Sequence, residues 1–304
     1  MTAMAEHDVR VYEVGPRDGL QNETAPIPTE AKLRFIELLA DAGLREIEAT
    51  SFVSPRAVPQ LADADELMER LERRAGVRYP VLVPNERGLE RARASAVDAV
   101  AVFTAASEAF TRANINMSIT ESLTAFRPVI EGARADGWWS RGYVSTAFGC
   151  PYQGAVAADA VVAVVRELFE LGVDEVSIGD TIGVAGPSDV RRVTRALLDD
   201  GIAPERLAMH FHDTRGTALA NVTAALELGI RAFDSSTGGT GGCPYAPGAA
   251  GNLATEDLVY LLEREGLSHG VDLDRLLEAA HHVSATLGRP LATKVGQAGG
   301  WRVP

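Results

Sequence analysis

The segment His210-Phe211-His212-Asp213-Thr214 sets two imidazoles two residues apart. On a β-strand, residues i and i+2 share one face, so both rings aim at the same point. The preceding Leu207-Ala208-Met209 is short and apolar, as expected of a buried parallel strand. Two converging imidazoles read as half of a metal site or as a hydrogen-bonded pair in the core. Asp18 would complete a two-histidine, one-carboxylate set, a donor mixture suited to Mg²⁺, Mn²⁺, Fe²⁺ or Zn²⁺. Standing beside Gly19, it also reads as an ordinary turn residue. The absence of cysteine from this set argues against structural zinc.

Two further side chains carry chemistry. Arg17 is a bidentate cation next to Asp18; it could stabilise negative charge developing on an oxygen, or serve as ion-pair partner to Glu48, or do both. Cys243 lies in Gly238-Gly239-Thr240-Gly241-Gly242-Cys243-Pro244, a loop dense enough in glycine to move and to approach a ligand closely. A thiol there could return a proton to a carbanion, or be an inert small residue. Cys150 reads as a buried spectator. His7, His269, His281 and His282 read as surface or packing residues, and Trp138-Trp139 as packing.

These residues need a scaffold that brings them together. Apolar, β-branched runs at 9–14, 46–49, 79–83, 99–104, 143–148, 175–178, 207–212 and 232–235 read as strands, separated by segments of helical period. Phe35, Leu38, Leu39 and Ala42, and likewise Val161, Val164, Val165 and Leu168, follow i, i+3, i+4, i+7. Thr29 reads as an N-cap and Gly43 as a C-terminal stop. Eight strand–helix units predict a (β/α)₈ barrel over about 9–255, with additional C-terminal helices over about 256–304, as one domain. A doubly wound open sheet would be expected to carry a glycine-rich nucleotide turn after its first strand, and Gly15-Pro16-Arg17-Asp18-Gly19 has the wrong spacing.

Barrel enzymes work at the C-terminal ends of their strands. Those ends supply Arg17, Asp18 and Gln21, then Glu48, Thr50 and Ser51, then Ser107, Glu108 and Asn114, then the stretch from Arg141 to Cys150, then Asp180 and Thr181, and finally His210, His212 and Asn252. Gln21, Ser51, Asn114 and Arg141 are the expected substrate contacts.

Composition narrows the class. Of 304 residues, 46% are hydrophobic, enough for a full core. A net charge of -13 argues against nucleic acid or an anionic membrane as partner, while leaving room for a small anion held by a local arginine cluster. Two cysteines imply a reducing compartment rather than a disulfide scaffold. The first ten residues read as neither signal nor transit peptide, and no apolar run reaches membrane-spanning length, so a cytoplasmic protein is expected.

The motifs together are more specific than any one of them. Glu13-Val14-Gly15-Pro16-Arg17-Asp18-Gly19-Leu20-Gln21-Asn22-Glu23, Ile47-Glu48-Ala49-Thr50-Ser51-Phe52-Val53-Ser54-Pro55, Gly179-Asp180-Thr181-Ile182-Gly183, the segment 210–221, Gly242-Cys243-Pro244-Tyr245-Ala246 and Gly251-Asn252-Leu253-Ala254-Thr255-Glu256-Asp257 resemble the hydroxymethylglutaryl-CoA lyase family over about residues 9–290. The His-x-His-Asp-Thr element is shared with the wider group of metal-dependent aldolase-like barrels, whereas the cysteine loop is particular to the lyases. The resemblance implies a TIM barrel that uses a divalent metal, Mg²⁺ or Mn²⁺, held by Asp18, His210, His212 and Asn252. It implies Arg17 as the catalytic cation, Glu48 as its partner, Cys243 as the loop proton donor, and Asp180 and Arg141 as further active-site residues. It also implies an acyl-CoA substrate, retro-Claisen cleavage with Asp18 or His210 as base, and a homodimer or higher oligomer. A longer or branched 3-hydroxyacyl-CoA, a related aldolase or Claisen-type synthase, and a non-catalytic CoA-binding barrel are the alternatives. The chain departs from the family at Arg215 and Thr217, where tyrosine and glutamine are usual, at Thr240, where an apolar residue is usual, and at Thr24, where lysine is common.

Overall fold

The structure, a computed structural model, describes residues 7–242, 251–291 and 293–300. Its strands are β1 (Arg10–Glu13), β2 (Glu46–Ile47), β3 (Thr50–Ser51), β4 (Val81–Leu82), β5 (Ala99–Ala105), β6 (Trp139–Ser145), β7 (Glu175–Asp180), β8 (Leu207–Phe211) and β9 (Ala232–Ser235). All pair in parallel, in the order β2-β1-β9-β8-β7-β6-β5-β4-β3. β2 and β3 are two halves of one strand interrupted at Glu48-Ala49, and they pair with opposite neighbours, β2 with β1 and β3 with β4. Nine segments therefore close into an eight-stranded TIM barrel. The interruption keeps its hydrogen bonds: Glu48 N–H donates to Glu13 O (2.8 Å) and Ala49 N–H to Pro80 O (2.9 Å).

Helices cover the outside because their apolar faces have nowhere else to go. Val161, Val164, Val165 and Leu168 of helix Ala158–Leu171 are all buried, and burying each such side chain is worth about 1.5–3 kcal/mol, more than helix propensity supplies. In the first helix, Thr29–Asp41, the expected N-cap at Thr29 is corrected: Thr29 is already helical, the helix follows Pro28, and the Thr29 hydroxyl donates instead to Asp63 Oδ2 (2.8 Å). Gly43 does stop that helix, at φ +97°, where an added Cβ would lie 2.3 Å from Gly270 O. Helix Thr255–Arg264 follows β9 as the barrel's own last helix. Leu273–Leu287 then packs back against the first helix, and Lys294–Ala298 against Thr255–Arg264. No helix of the described residues is long and apolar enough to cross a membrane.

The fifth barrel strand, expected from Tyr143, begins four residues earlier at Trp139. Arg141 pairs in register with Glu175, the first residue of β7, so its side chain belongs to the N-terminal end of the barrel, the floor. There Arg141 is fully buried, ion-paired to Asp234 (2.6 Å) and Glu175 (3.1 Å), with its guanidinium 3.9 Å from the centroid of the Tyr12 ring. Arg10 and Arg78 close the same layer against Glu46, at 2.9 and 2.6 Å. Trp139 packs here as well, under the Arg78 guanidinium (4.5 Å).

Candidate metal and acyl-binding site

At the opposite end of the barrel, β1 runs into a wide π-type turn, Gly15–Gly19, in which Asp18 N–H donates to Val14 O (2.7 Å). Glu13 anchors this turn. Its buried carboxylate accepts from Gly15 N–H (2.8 Å), Thr237 N–H (2.9 Å), Thr237 Oγ1 (2.7 Å) and Thr255 Oγ1 (2.7 Å), tying the turn to the start of the glycine loop. Burial holds the Glu13 carboxyl above the usual carboxylate range, the four donors opposing it. Gly19 must be glycine, since a Cβ would lie 2.3 Å from Thr240 Oγ1 and 2.6 Å from Ser236 Oγ.

The turn presents Arg17 and Asp18 over the mouth. Arg17 is buried, with Nη1 donating to Asp18 Oδ1 (2.7 Å), Nη2 donating to Glu48 Oε2 (3.1 Å), and Nε 3.1 Å from Glu48 Oε1. Tyr143 donates its hydroxyl to the same Glu48 carboxylate (2.6 Å) and lies 5.6 Å beneath the Arg17 guanidinium. Burial works against the Arg17 charge, but Glu48 and Asp18 outweigh it, so the cation is held more firmly than in water.

One ligand atom from each of Asp18, His210 and His212 lies within 4.8 Å of the others. The adjacent imidazoles bring their centroids to 5.2 Å. Asp234 Oδ2 sits 3.2 Å from His210 Nδ1, a bond that orients the ring and leaves Nε2 as its other nitrogen. Asn252 reaches in from beyond the glycine loop through a bridge to His212, its Nδ2 donating to Asp18 Oδ2 (2.9 Å) and Thr240 O (3.0 Å). Burial would raise the Asp18 carboxyl, yet Arg17 and both imidazoles bring it down to about 2. Burial and the His210 ring push His212 down to about 4, against the pull of Asp18, so its imidazole is neutral near pH 7.

Two atoms test whether this set fits a cation. Among the described residues, His212 Nδ1 and Asn252 Oδ1 are buried without any hydrogen-bond partner. An unsatisfied buried polar atom costs about 1–3 kcal/mol, and two of them beside an ionised carboxylate and a neutral imidazole are the donors a divalent ion requires. The residues present fit such an ion.

The cluster opens into a cavity of about 980 Å³ lined by Arg17, Asp18, His210 and His212, with Gln21, Asn114 and Tyr143 farther along its walls. Gly242 lines it too; Cys243, the next residue, lies outside the described residues. Three expected contacts are placed elsewhere. Arg141 is in the floor network and does not border the cavity. Ser51 is buried and donates to Leu82 O (3.2 Å), a strand-end bond rather than a substrate contact. Asp180 is buried, its two oxygens taken by Val184 N–H and Ala185 N–H (3.0 Å each), so it shapes the loop after β7 and does not reach the cavity. Burial leaves its carboxyl above the ordinary range, these two amides opposing it.

Sequence reasoning missed Glu13, Tyr143 and Asp234. Glu13 stands two residues before the Gly15-Pro16-Arg17-Asp18-Gly19 turn, and the alternation from Arg141 to Tyr143 places both on one strand face; Asp234 carries no signal of its own. The departures at 215 and 217 both bind backbone: Arg215 donates to Ile182 O (3.0 Å) and Gly183 O (2.8 Å), and Thr217 to Ala185 O (2.9 Å), joining the loops after β7 and β8.

Against known proteins, the HMGL-like family model matches residues 8–283. Hydroxymethylglutaryl-CoA lyase of Pseudomonas mevalonii is 51% identical over 290 residues, covering 95% of this chain and 96% of that protein. The crystal structure of hydroxymethylglutaryl-CoA lyase from Pseudomonas aeruginosa superposes with a TM-score of 0.93 at 49% identity, over 96% of this chain and 97% of the other. An HMG-CoA lyase from Acinetobacter baumannii, solved with coenzyme A and 3-methylmalate, superposes at 0.92 with 38% identity over the whole of both chains.

Proposed function

The chain belongs to the HMGL-like family, and from that premise we propose that it is a carbon–carbon lyase that cleaves 3-hydroxy-3-methylglutaryl-CoA to acetoacetate and acetyl-CoA. The observation that carries this reading is the pairing, at one cavity wall, of the Asp18, His210 and His212 donor cluster with the buried, doubly paired Arg17. Asp18, His210, His212 and Asn252 would hold a divalent ion, Mg²⁺ or Mn²⁺. When bound, that ion supplies Lewis acidity that lowers the pKa of the substrate's tertiary hydroxyl.

The chain's own residues do the rest. The hydroxyl proton leaves to Asp18 or His210. The oxygen's electron pair forms the ketone of acetoacetate, the C2–C3 bond breaks, and its electrons pass to the enolate of acetyl-CoA. Arg17, fixed by Glu48 and Tyr143, faces the enolate oxygen with a charge that needs no reorganisation. Cys243 protonates the enolate carbon, giving acetyl-CoA. Gln21 and Asn114 position the acyl part. The protein works as one catalytic domain in the cytoplasm, the reducing compartment its two cysteines suit, and as a homodimer or larger assembly.

The test is mass-spectrometric detection of acetoacetate from 3-hydroxy-3-methylglutaryl-CoA, with and without added Mg²⁺ or Mn²⁺. Metal-dependent product is expected. Its absence, with product from free keto acids instead, would overturn the reading.

A further inference from the structure

Thr240, in the middle of the glycine loop, is buried and touches three separate parts of the mouth. Its hydroxyl donates to Thr237 O (3.2 Å) and shares a 2.6 Å bond with Ser236 Oγ, and its carbonyl accepts from Asn252 Nδ2 (3.0 Å). Ser236 is the fixed end of this contact. It directly follows β9, its N–H donates to Leu253 O (2.9 Å), and its carbonyl accepts from Gly239 N–H (2.8 Å) and Thr255 N–H (3.3 Å). Both hydroxyls lie over Gly19, beside the place a Cβ would occupy, and so press the loop onto the turn that carries Asp18. One residue on, Gly241 takes φ +94°, and a Cβ there would lie 2.6 Å from Asn252 Nδ2 and 3.2 Å from Asp18 O. Only glycine allows the loop to lie this close to the turn.

Asn252 is shared between this loop and the donor cluster. Its Nδ2 joins Thr240 O to Asp18 Oδ2 (2.9 Å), and among the described residues its buried Oδ1 has no hydrogen-bond partner. An amide whose two hydrogens are engaged and whose oxygen is not has that oxygen left for a cation. Whatever holds Thr240 in place therefore also fixes the orientation of that amide. We propose that Thr240 is a positioning residue that couples the seating of the glycine loop to occupancy of the divalent-ion site, its hydroxyl holding the loop to Ser236 and its carbonyl holding Asn252. The ion and the loop that leads to Cys243 are then in place together. The coupling is reciprocal: if a seated loop favours the ion by some factor, the bound ion favours the seated loop by the same factor. This inference rests on the divalent-ion reading of the cluster. An apolar side chain at 240 could fill the space above Gly19 but could make neither hydroxyl bond, leaving the buried Ser236 hydroxyl without this partner.

Two substitutions separate the hydroxyl from the shape. Thr240→Val keeps the branching and removes the hydroxyl, and Thr240→Ser keeps the hydroxyl. Mn²⁺ titration of the whole chain, followed by paramagnetic resonance, is expected to show about tenfold weaker binding in Thr240→Val and affinity within about threefold of the parent in Thr240→Ser. Hydrogen exchange reads the other side of the coupling. Without metal, the amides of residues 237–242 should exchange faster in Thr240→Val than in the parent, and saturating Mn²⁺ should slow them in the parent. Should Thr240→Val not fold, Ser236→Ala breaks the same bond from its fixed end and carries the same expectation. A lower melt with Mn²⁺ affinity within about twofold of the parent would make the hydroxyl merely structural and overturn the proposal. Loop amides that exchange at the same rate with and without Mn²⁺ would overturn it too. Failure of the parent to bind Mn²⁺ at all would instead overturn the metal reading itself, and this inference with it.

Discussion

The two ends of this barrel use the same residue types in opposite ways. At the floor, Arg10, Arg78 and Arg141 meet Glu46, Glu175 and Asp234, so that every charge there has an opposite charge within about 3 Å. At the mouth, Asp18, His210 and His212 bring ligand atoms within 4.8 Å of one another and Asn252 bonds Asp18, yet His212 Nδ1 and Asn252 Oδ1 have neither a hydrogen-bond nor an ion-pair partner among the described residues. A closed network is one that removal of a member destabilises. An open one keeps binding capacity in reserve. Asp234 joins the two, accepting from Arg141 below, near His210 above, with Ser177 as a third partner.

Substitutions that separate stability from activity sharpen this contrast. Arg141→Met leaves two buried carboxylates short of their cation, a loss of about 3–5 kcal/mol in unfolding free energy. It should lower Tm by on the order of 10 °C in calorimetry; a melt unchanged from the parent would break the contrast. Arg17→Gln at the mouth does the reverse. It should cost about 10²–10³ in kcat in a protein that still folds, because Tyr143 still bonds Glu48. Cys243→Ser is expected to show the same pattern, a folded protein with little turnover.

A third test uses pH and lies outside both layers. Burial pushes the Glu256 carboxyl up to about 7, with Gly238 N–H and Thr293 pulling it the other way. The protonated form is therefore the one the fold prefers. Its stabilisation is complete below the ordinary carboxyl range near 4.5 and is lost as pH rises through about 7. Between those limits the parent should lose on the order of 3 kcal/mol that Glu256→Gln does not lose. Denaturant unfolding at pH 4.5 and pH 8 reads the difference, and parallel behaviour of the two proteins would refute it. Smallest in effect, Asp234→Asn should weaken metal affinity about 10–100-fold by releasing the His210 ring, an effect checked by Mn²⁺ titration; an unchanged affinity would show that the link between the layers carries no weight.

Much of this was legible in the residues. The imidazoles meet because strand spacing is local geometry, and Arg17 and Asp18 reach the mouth because a Gly-Pro-Arg-Asp-Gly turn follows a strand. The alternation of strands and helices carries the barrel. What was not legible is depth and pairing across the barrel. Arg141 was expected near the substrate because the run from Tyr143 looked like the strand; starting at Trp139 instead moves Arg141 to the floor. Asp234 and Tyr143 acquire their roles from partners 93 and 95 residues away, which no local pattern encodes. Ser51 and Asp180 sit at strand ends as expected, but their oxygens are spent on backbone groups, a matter of side-chain direction rather than position.

The central claim is that the open layer at the mouth holds one divalent ion. Paramagnetic resonance titration of the full chain with Mn²⁺ measures this directly, in the parent and in His212→Ala. One bound ion per chain in the parent, lost in the variant while its melt is kept, is the expected result. One bound ion in both proteins, or none in either, would contradict it.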